Sequence, residues 1–329
     1  MRVPLTVQAA ATRAAVRVAA RFGVTAADPV VLADGANVIV WLSPAPVVAK
    51  VAASTPAVRP DVAAWLQREL DVAVFLDRSG IPVMAPSEEV PVTVHHGDDQ
   101  VMSFWTYLAP ADAGPPAEAV IGSMLRDMHA ALRSYPGALP VLAPLRDIPA
   151  FLARPRTQLS AADAAVLGGN FARLAAQLAA GTPAKQPLHG DAGAGNLMAT
   201  GGRWVWHDFE DACSGPVAWD LAATSASPRF DSSRILAAYG DPVDEAQLRA
   251  CEQLRRLHLT VWYSLYAERL PDCRERAAEL LRTWRPSASA QSLSRTVPGP
   301  PVPNRRPASC PYRSRRTAFR RGPWLMLAG

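Results

Sequence analysis

Residues 187–211 read PLHGDAGAGNLMATGGRWVWHDFED, and this stretch decides the fold of the chain. The glycine pair Gly201-Gly202 stands between two apolar runs, which predicts a β-hairpin with a two-residue loop. In the register of such a hairpin, Asn196 lies opposite His207. The hairpin therefore brings Asn196 next to Asp208, although the two are twelve positions apart in the chain.

The predicted hairpin collects oxygen-bearing side chains at one sheet edge. Asp191 precedes Asn196 by one glycine-rich loop, so its carboxylate is expected near the amide of Asn196 and the carboxylate of Asp208. Such oxygens suit Mg²⁺, which keeps several waters and commonly shares its coordination shell with substrate phosphates. One carboxylate can hold the metal while the other accepts a proton from an attacking hydroxyl. Asp and Asn also cap glycine-rich turns, but the D-F-E-D run at 208–211 favours a functional site.

The order of these residues resembles the signature of a known enzyme family. The aminoglycoside phosphotransferase family of protein-kinase-like small-molecule kinases has a similar pattern of H-G-D, four residues and N, then D-F-E-D, then G-P-x-x-W-D-L-A, found here at 189–196, 208–211 and 215–222. The resemblance covers about residues 20–285. It implies an α+β, bilobal protein-kinase-like fold. A small antiparallel-sheet N-lobe with one main helix would precede a mostly helical C-lobe.

The resemblance also implies a reaction and a set of roles. The chain would move the γ-phosphoryl group of ATP to a hydroxyl of a small molecule, with ATP and Mg²⁺ as cofactors. Asp191 would be the catalytic base, and Asn196 and Asp208 would bind Mg²⁺. Asp220 would brace the catalytic loop, although helix N-capping is an equally good local interpretation, and His189 would be scaffold. The acceptor stays open among aminoglycosides, macrolides, amino alcohols and metabolites.

The N-terminal part offers the lysine and the glutamate that a kinase-like fold uses to hold nucleotide phosphates. The chain has 32 Arg but only two Lys, Lys50 and Lys185. Lys50 lies in a predicted strand, where an unpaired ammonium is costly. Glu69 lies on the next predicted helix, so a Lys50–Glu69 pair is expected in place of an exposed helix charge. Three antiparallel strands are predicted near 30–32, 38–42 and 47–51, and the helix is predicted at about 60–78.

Two further segments are predicted to contact the nucleotide. Residues 33–37 form the turn where a phosphate-covering loop belongs, so Gly35 and Asn37 are candidate phosphate contacts, although the turn has one glycine. Residues 104–108 lie where an adenine-contacting hinge belongs, so the backbone at Trp105 and Tyr107 is expected to contact the base. The alternative for this segment is a buried strand.

The remaining sequence divides into three parts. Residues 1–108 are expected to form the nucleotide-binding N-lobe and residues 109–285 the helical C-lobe with the catalytic loop and the acceptor site. Residues 286–329 are expected to be a disordered Pro- and Arg-rich tail. Strands are also predicted at 90–94 and 101–108, and further helices near 1–25, 120–132, 160–181, 248–265 and 277–284.

The charge distribution argues against nucleic-acid binding by residues 1–285. Residues 286–329 contain eight Arg, eight Pro and no Asp, Glu or Lys, whereas in residues 1–285 the 26 bases face 29 acids. The basic pI therefore belongs to the tail, and nucleic-acid binding is expected only through it, if at all.

Two further counts bear on the compartment. No uncharged apolar run reaches the ~20 residues that span a bilayer, so no membrane partner is expected. The four cysteines show no C-x-x-C spacing, which indicates a reduced, cytoplasmic protein with neither disulfides nor a zinc site. The sequence gives no indication of oligomeric state.

Two other functions compete with the kinase interpretation. The first is a metal-dependent hydrolase that uses His189, Asp191, His207 and Asp208 around a transition metal, because mixtures of His and Asp suit such ions. The second is a catalytically inactive nucleotide-binding module. The presence of Lys50 together with the acidic and amide positions argues against the second.

Overall fold

A computed structural model describes residues 5–155, 159–181, 184–225, 227, 229–268 and 270–285. The predicted tail at 286–329 lies outside the described residues, as does Cys310. Cys213, Cys251 and Cys273 are buried free thiols. Within the described ranges, no helix is both long enough and apolar enough to cross a membrane.

The N-terminal part contains a five-stranded antiparallel sheet in the order β1-β2-β3-β5-β4. The predicted three-strand meander is confirmed. Lys50 of its third strand pairs with Ile39 on one side and with Ser103 on the other. The strands are β1 (Val30–Asp34), β2 (Asn37–Trp41), β3 (Val47–Ala52), β4 (His95–Gly97) and β5 (Gln100–Thr106).

Two helices flank this sheet, α1 (Leu5–Ala20) and α2 (Val62–Arg78). Helix α1 buries a small-residue face against the sheet, with Val18 next to the sheet core. Helix α2 begins after Asp61, whose side chain accepts a hydrogen bond from the amide of Ala64 at 3.3 Å. These bounds confirm the predicted helix, which ends at the predicted stop.

The strand predicted at 90–94 is wrong. Pro91 has no amide hydrogen for a ladder, and the amide of Thr93 donates to the carbonyl of Pro91 at 2.8 Å, which bends the chain there. The strand begins instead at His95. The turn that follows has positive φ angles of 52° at Asp98 and 58° at Asp99, and it leads into β5.

The C-terminal part is mostly helical. Ser160 caps the helix predicted at 160–181 by accepting a hydrogen bond from the amide of Asp163 at 3.1 Å. The helices are α3 (Glu118–Leu132), α4 (Asp147–Leu152), α5 (Ala161–Ala180), α6 (Ala218–Ser225), α7 (Ser232–Tyr239), α8 (Glu245–Ala267) and α9 (Arg274–Arg282).

Two short strand pairs interrupt the helices and carry the stretch that decides the fold. Strand β6 (Gln186–Leu188) pairs with β9 (Cys213–Gly215), and β7 (Leu197–Thr200) pairs with β8 (Arg203–Trp206). The predicted hairpin register is confirmed, because the amide of His207 donates to the carbonyl of Asn196 at 3.0 Å.

One apolar core joins the N-terminal sheet to the C-terminal part. It contains Leu70 of α2, Trp105 of β5, Leu125 of α3 and Trp206 of β8. The fold is therefore the expected α+β, bilobal arrangement, with the short strand pairs packed between the lobes. The exact division of the chain at residue 108 stays a prediction.

Candidate active site

A buried aspartate holds the loop that follows β6. Asp220 lies in the first turn of α6 and is completely buried. Its two carboxylate oxygens accept hydrogen bonds from the amides of His189 and Gly190, each at 2.9 Å. The Nε2 atom of His129 lies 3.0 Å from the same carboxylate. The predicted bracing contact is therefore present, and it fixes the backbone immediately before Asp191.

The ring of His189 is part of the same scaffold. Its Nε2 lies 3.1 Å from the carbonyl of His207, and its Nδ1 accepts a hydrogen bond from the amide of Asp191 at 3.3 Å. Burial lowers the pKa of His189, so the ring is neutral and donates through Nε2. Both ring nitrogens are thus used by the backbone, as expected for a structural histidine.

Gly190 is a position where a side chain is expected to damage the loop. Its φ is +88°, and a Cβ atom there would lie 1.8 Å from the carbonyl oxygen of Asp211. Gly190→Ala is expected to lower the free energy of unfolding by more than about 2 kcal/mol, since backbone strain and a backbone clash add. Urea unfolding measures this loss.

The matched control for this prediction is Gly202→Ala. Gly202 also has a positive φ, +79°, but a Cβ there would meet open space. Its loss is expected to be about 1 kcal/mol, from the backbone conformation alone. Equal losses for the two variants would show that the contact with Asp211 is unimportant.

The carboxylate of Asp191 is held on both oxygens. Arg255 of α8 donates from Nη2 to Oδ1, and Asn196 donates from Nδ2 to Oδ2 at 3.1 Å. The same Asn196 nitrogen also donates to the backbone carbonyl of Asp191 at 2.7 Å. Asp191 is about one third exposed at its side chain, so the carboxylate is oriented and remains open to the cleft.

Lys50 lies among three carboxylates. Its Nζ is 2.9 Å from both carboxylate oxygens of Glu69, 2.5 Å from Asp208 and 2.9 Å from Glu210. The predicted Lys50–Glu69 contact is present. Asp208 has a positive φ of 68°, a conformation in which strain is tolerated best by Asp, Asn and Gly. The strained backbone of Asp208 thus holds its carboxylate against the Lys50 ammonium. Backbone strain of this kind is common at functional sites.

The charges of this cluster depend on one another. Burial lowers the pKa of Lys50, but Asp208, Glu210 and Glu69 together raise it well above its usual value. Burial raises the pKa of Asp208, but Lys50 more than offsets this and the pKa falls. Burial raises the pKa of Glu69 to about 8, and the negative charges of Asp208 and Glu210 add to this, although Lys50 lowers it. Three carboxylates thus share one ammonium. The cluster would therefore gain from a second cation.

The donors around Asn196 and Asp208 fit Mg²⁺. The Oδ1 atom of Asn196 is buried and has no hydrogen-bond partner in the described part of the chain. An unpaired buried carbonyl is costly, and an amide oxygen beside a carboxylate is a ligand set that Mg²⁺ accepts. Asn196 and Asp208 line the same cleft. These two residues would hold the metal.

Glu210 was missed as a functional candidate. Its Oε2 accepts a hydrogen bond from Asn37 Nδ2 at 2.8 Å, in addition to its contact with Lys50. Within the described residues, the group whose ligand atoms all lie within 4.8 Å of one another is Glu69, Asp208 and Glu210. The acidic run at 208–211 was a signal for it. Gly35 lies in the β1–β2 turn, and its role, like that of Asn37, stays a prediction.

The predicted hinge residues do not bring their side chains to this cleft. Trp105 is buried in the core and its Nε1 donates to Ser103 at 2.9 Å. The amide of Tyr107 donates to the carbonyl of Pro46 at 2.9 Å, and its ring stacks on Trp41 at 4.2 Å. The side chains thus behave as a buried strand and its end, and the adenine contact stays a prediction about the backbone.

Arg59 forms a second buried ion-pair network beside the site, which sequence reasoning also missed. It donates to both oxygens of Asp147, at 3.1 and 2.7 Å, and to Asp211 at 2.7 Å. A further bond at 3.2 Å reaches Glu210. Its guanidinium also lies 3.7 Å from the ring centre of Trp65. Arg59 thus connects the segment between β3 and α2 to two C-lobe carboxylates and to the acidic run.

A cleft of about 670 Å³ adjoins the candidate site. Its lining includes Asn37, Asp191, Asn196 and Asp208. Residues of α8 and α9, among them Trp262, also line it. The cleft is large enough for a nucleotide phosphate chain and a small molecule to meet at Asp191.

Comparison with known proteins identifies the family. The model of the phosphotransferase enzyme family, APH, matches residues 31–257, which is more than half of the chain. The chain belongs to this phosphotransferase family. A comparison with curated protein sequences gives no match.

Solved structures of other phosphotransferases share the fold at low sequence identity. An amicoumacin kinase, hAmiN, in complex with AMP-PNP, Ca²⁺ and Ami has a TM-score of 0.60 at 13% identity, covering 78% of this chain and 87% of that one. The choline kinase LicA from Streptococcus pneumoniae has a TM-score of 0.59 at 14% identity, covering 82% and 99%. The aminoglycoside phosphotransferase APH(3'')-Id from Streptomyces rimosus has a TM-score of 0.50 at 20% identity, covering 78% and 99%. The fold of this phosphotransferase is therefore that of protein-kinase-like small-molecule kinases.

The geometry does not assemble the transition-metal site of the hydrolase hypothesis. Both nitrogens of His189 are engaged by backbone groups. Burial lowers the pKa of His207 to about 4; a neutral imidazole can bind a metal, so the arrangement of other ligands around it decides. Across the described ranges, no group of closely spaced metal-ligating side chains includes either histidine.

Proposed function

We propose that this phosphotransferase transfers the γ-phosphoryl group of ATP to a hydroxyl of a small molecule. The observation that carries the proposal is the pairing of an oriented carboxylate, Asp191, with a buried and unpartnered amide oxygen on Asn196 in one cleft. In this proposal residues 1–108 bind the nucleotide, and residues 109–285 carry the catalytic loop and the acceptor site.

The proposed chemistry assigns one task to each group. Asp191 accepts the proton of the acceptor hydroxyl as that oxygen attacks the phosphorus atom. Lys50, oriented by Glu69, donates to phosphate oxygens of the bound nucleotide. In the structure, the carboxylates of Asp208 and Glu210 accept from Lys50 in their place. Mg²⁺ held by Asn196 and Asp208 would neutralise the phosphate charge when it is bound. Asp191, Asn196 and Asp208 line the cleft, and Lys50 lies buried next to them in contact with Asp208 and Glu210, so little reorganisation is needed when substrate arrives.

The metal assignment predicts a nucleotide affinity that depends on Mg²⁺. Asp208→Asn is expected to remove most of the gain in affinity for AMP-PNP that Mg²⁺ produces in the wild-type protein, because the amide holds the cation more weakly than a carboxylate. Isothermal titration with and without Mg²⁺ measures this gain. Asp77→Asn, at an exposed site on α2, is the matched control and should retain the full gain. An unchanged gain in Asp208→Asn would contradict the assignment.

The part of the cleft that is lined by Arg229 and by residues of α8 and α9 is here called the acceptor half. Its charged side chains favour a neutral or acidic acceptor over a polycation. Glu252 and Glu279 reach this lining, whereas Glu245 and Glu268 are paired with Arg249 and Arg154 elsewhere. The arginines that also line it are Arg229, Arg255, Arg256 and Arg276. Arg255 is paired with Asp191 and Arg276 with Glu279, so the excess positive charge is that of Arg229 and Arg256 over Glu252. A polycation would meet like charge there, which raises the free energy of its bound state.

This acceptor class predicts the outcome of a screen. MgATP is supplied together with kanamycin, with the neutral polyol sorbitol or with the acidic polyol gluconate, and ADP formation is measured. We expect that kanamycin does not increase ADP formation and that sorbitol or gluconate does. Stimulation by kanamycin above that by both polyols would contradict the charge argument while supporting the kinase itself. ATP binding without ADP formation under every condition would instead support the inactive nucleotide-binding module.

A further inference from the structure

Arg255 is the one residue of α8 that reaches the proposed base in the described part of the chain. Its Nη2 donates to Asp191 Oδ1, and its Nη1 donates to the carbonyl oxygen of Gly190 at 2.9 Å. The two nitrogens of one planar guanidinium thus bind a side chain and a backbone carbonyl of the same loop. Such a two-point contact fixes direction as well as distance.

The guanidinium is itself held in place. It lies 5.0 Å from the ring centre of Trp219, and Trp219 Nε1 donates to the same Gly190 carbonyl at 2.7 Å. The side chain of Arg255 is 14% exposed. Its position is therefore set by the packing of α6 against α8 rather than by solvent.

Asn196, which also binds the Asp191 carboxylate, has a second proposed role. Asn196 contacts Oδ2 of Asp191, but its amide also carries the oxygen that the proposed function assigns to the metal. Position 193 is glycine, so the loop offers no side chain of its own there. A group from outside the loop is needed to keep the carboxylate directed at the acceptor.

We propose that Arg255 is a positioning residue for phosphoryl transfer, which acts through Asp191. This inference rests on the proposed function. Arg255 keeps its own protons, and the proton of the acceptor hydroxyl passes to Asp191 when the new O–P bond forms and the bond to ADP breaks. Each carboxylate oxygen has more than one lone pair, so Asp191 can accept that proton while Arg255 remains bound. The arginine thus limits the carboxylate to the orientations that face the acceptor half of the cleft.

The test measures ADP formation from MgATP, with water as the acceptor and with the polyol of the screen that stimulates the wild-type protein most. Arg255→Ala is expected to lower kcat about 10²-fold, the scale of a misplaced catalytic group, with little change in the KM for MgATP. Arg255→Lys should recover part of kcat, and guanidinium ions at non-denaturing concentration should recover part of it in Arg255→Ala. Arg249→Ala is the matched control, since Arg249 lies on α8 in an exposed pair with Glu245, and it should behave as wild type.

Three results would overturn the assignment. The first is a kcat for Arg255→Ala equal to that of Arg249→Ala. The second is an Arg255→Ala variant with an unchanged kcat and a raised KM for MgATP. The third is a lowered kcat that neither Arg255→Lys nor guanidinium restores. The last result would indicate a structural role, which thermal unfolding of the variant would show as a lowered Tm. A wild-type protein that forms no ADP with water or with any acceptor of the screen would overturn the proposed function together with this assignment. Wild-type turnover with an active Arg255→Ala would overturn this assignment alone.

Discussion

Asp191→Asn is expected to lower kcat for phosphoryl transfer by about 10²–10⁴-fold, the usual contribution of a positioned general base. The amide has nearly the volume of the carboxylate, so the loop braced by Asp220 should keep its shape. The variant cannot accept the acceptor's proton, because an amide is not a base at neutral pH. Affinity for MgATP should stay close to that of wild type, since Asp191 contacts neither Lys50 nor Asp208 in the structure.

The two readouts separate catalysis from binding. ADP formation gives kcat, and titration with AMP-PNP and Mg²⁺ gives the affinity. Asp77→Asn removes an equivalent charge from the exposed end of α2 and should change neither. Turnover at the wild-type rate in Asp191→Asn, with nucleotide binding intact, would show that another group removes the proton.

Arg59→Met is expected to lower the free energy of unfolding by about 3–5 kcal/mol, the cost of removing one partner from a buried ion pair. The side chains of Arg59 and Asp147 are 2% and 1% exposed, so water cannot replace the lost guanidinium. Asp211 would lose its contact at the same time. Methionine preserves much of the packing against Trp65, so the loss would report mainly on the uncompensated carboxylates. Urea unfolding measures the difference.

Two further variants make this prediction specific. Arg249→Met breaks an exposed pair on α8 and should cost no more than about 1 kcal/mol. Arg59→Met combined with Asp147→Asn should be more stable than Arg59→Met alone, because the buried negative charge is gone while His258 and Trp262 still contact position 147. A loss below 1 kcal/mol for Arg59→Met would contradict the account of this network.

The parts that could be predicted are those that local patterns determine. Two adjacent glycines between apolar runs set one hairpin register, and that register alone placed Asn196 opposite His207. The Lys50–Glu69 contact followed from the resemblance to kinase-like folds, together with the scarcity of lysine and an expected strand and helix. The hairpin inference needed only the pattern of two neighbouring apolar runs and the turn between them.

The parts that could not be predicted depend on contacts between distant elements. Arg59 and Arg255 belong to a set of 32 arginines, so residue type gave no reason to select them. Their partners Asp147 and Asp191 lie 88 and 64 positions away, a separation that no local pattern encodes. The strand expected at 90–94 is absent for a local reason: apolar residues alternate there as in a strand, but Pro91 has no amide hydrogen to donate to a neighbouring strand.

The buried network of Arg59 limits how the two lobes can separate. A wide hinge-like rotation of the N-lobe would pull the guanidinium away from Asp147 and Asp211 and leave each charge without its partner in a poorly hydrated place. Substrates are therefore expected to enter the cleft by adjustments of side chains and of the β1–β2 turn, with little change in the angle between the lobes.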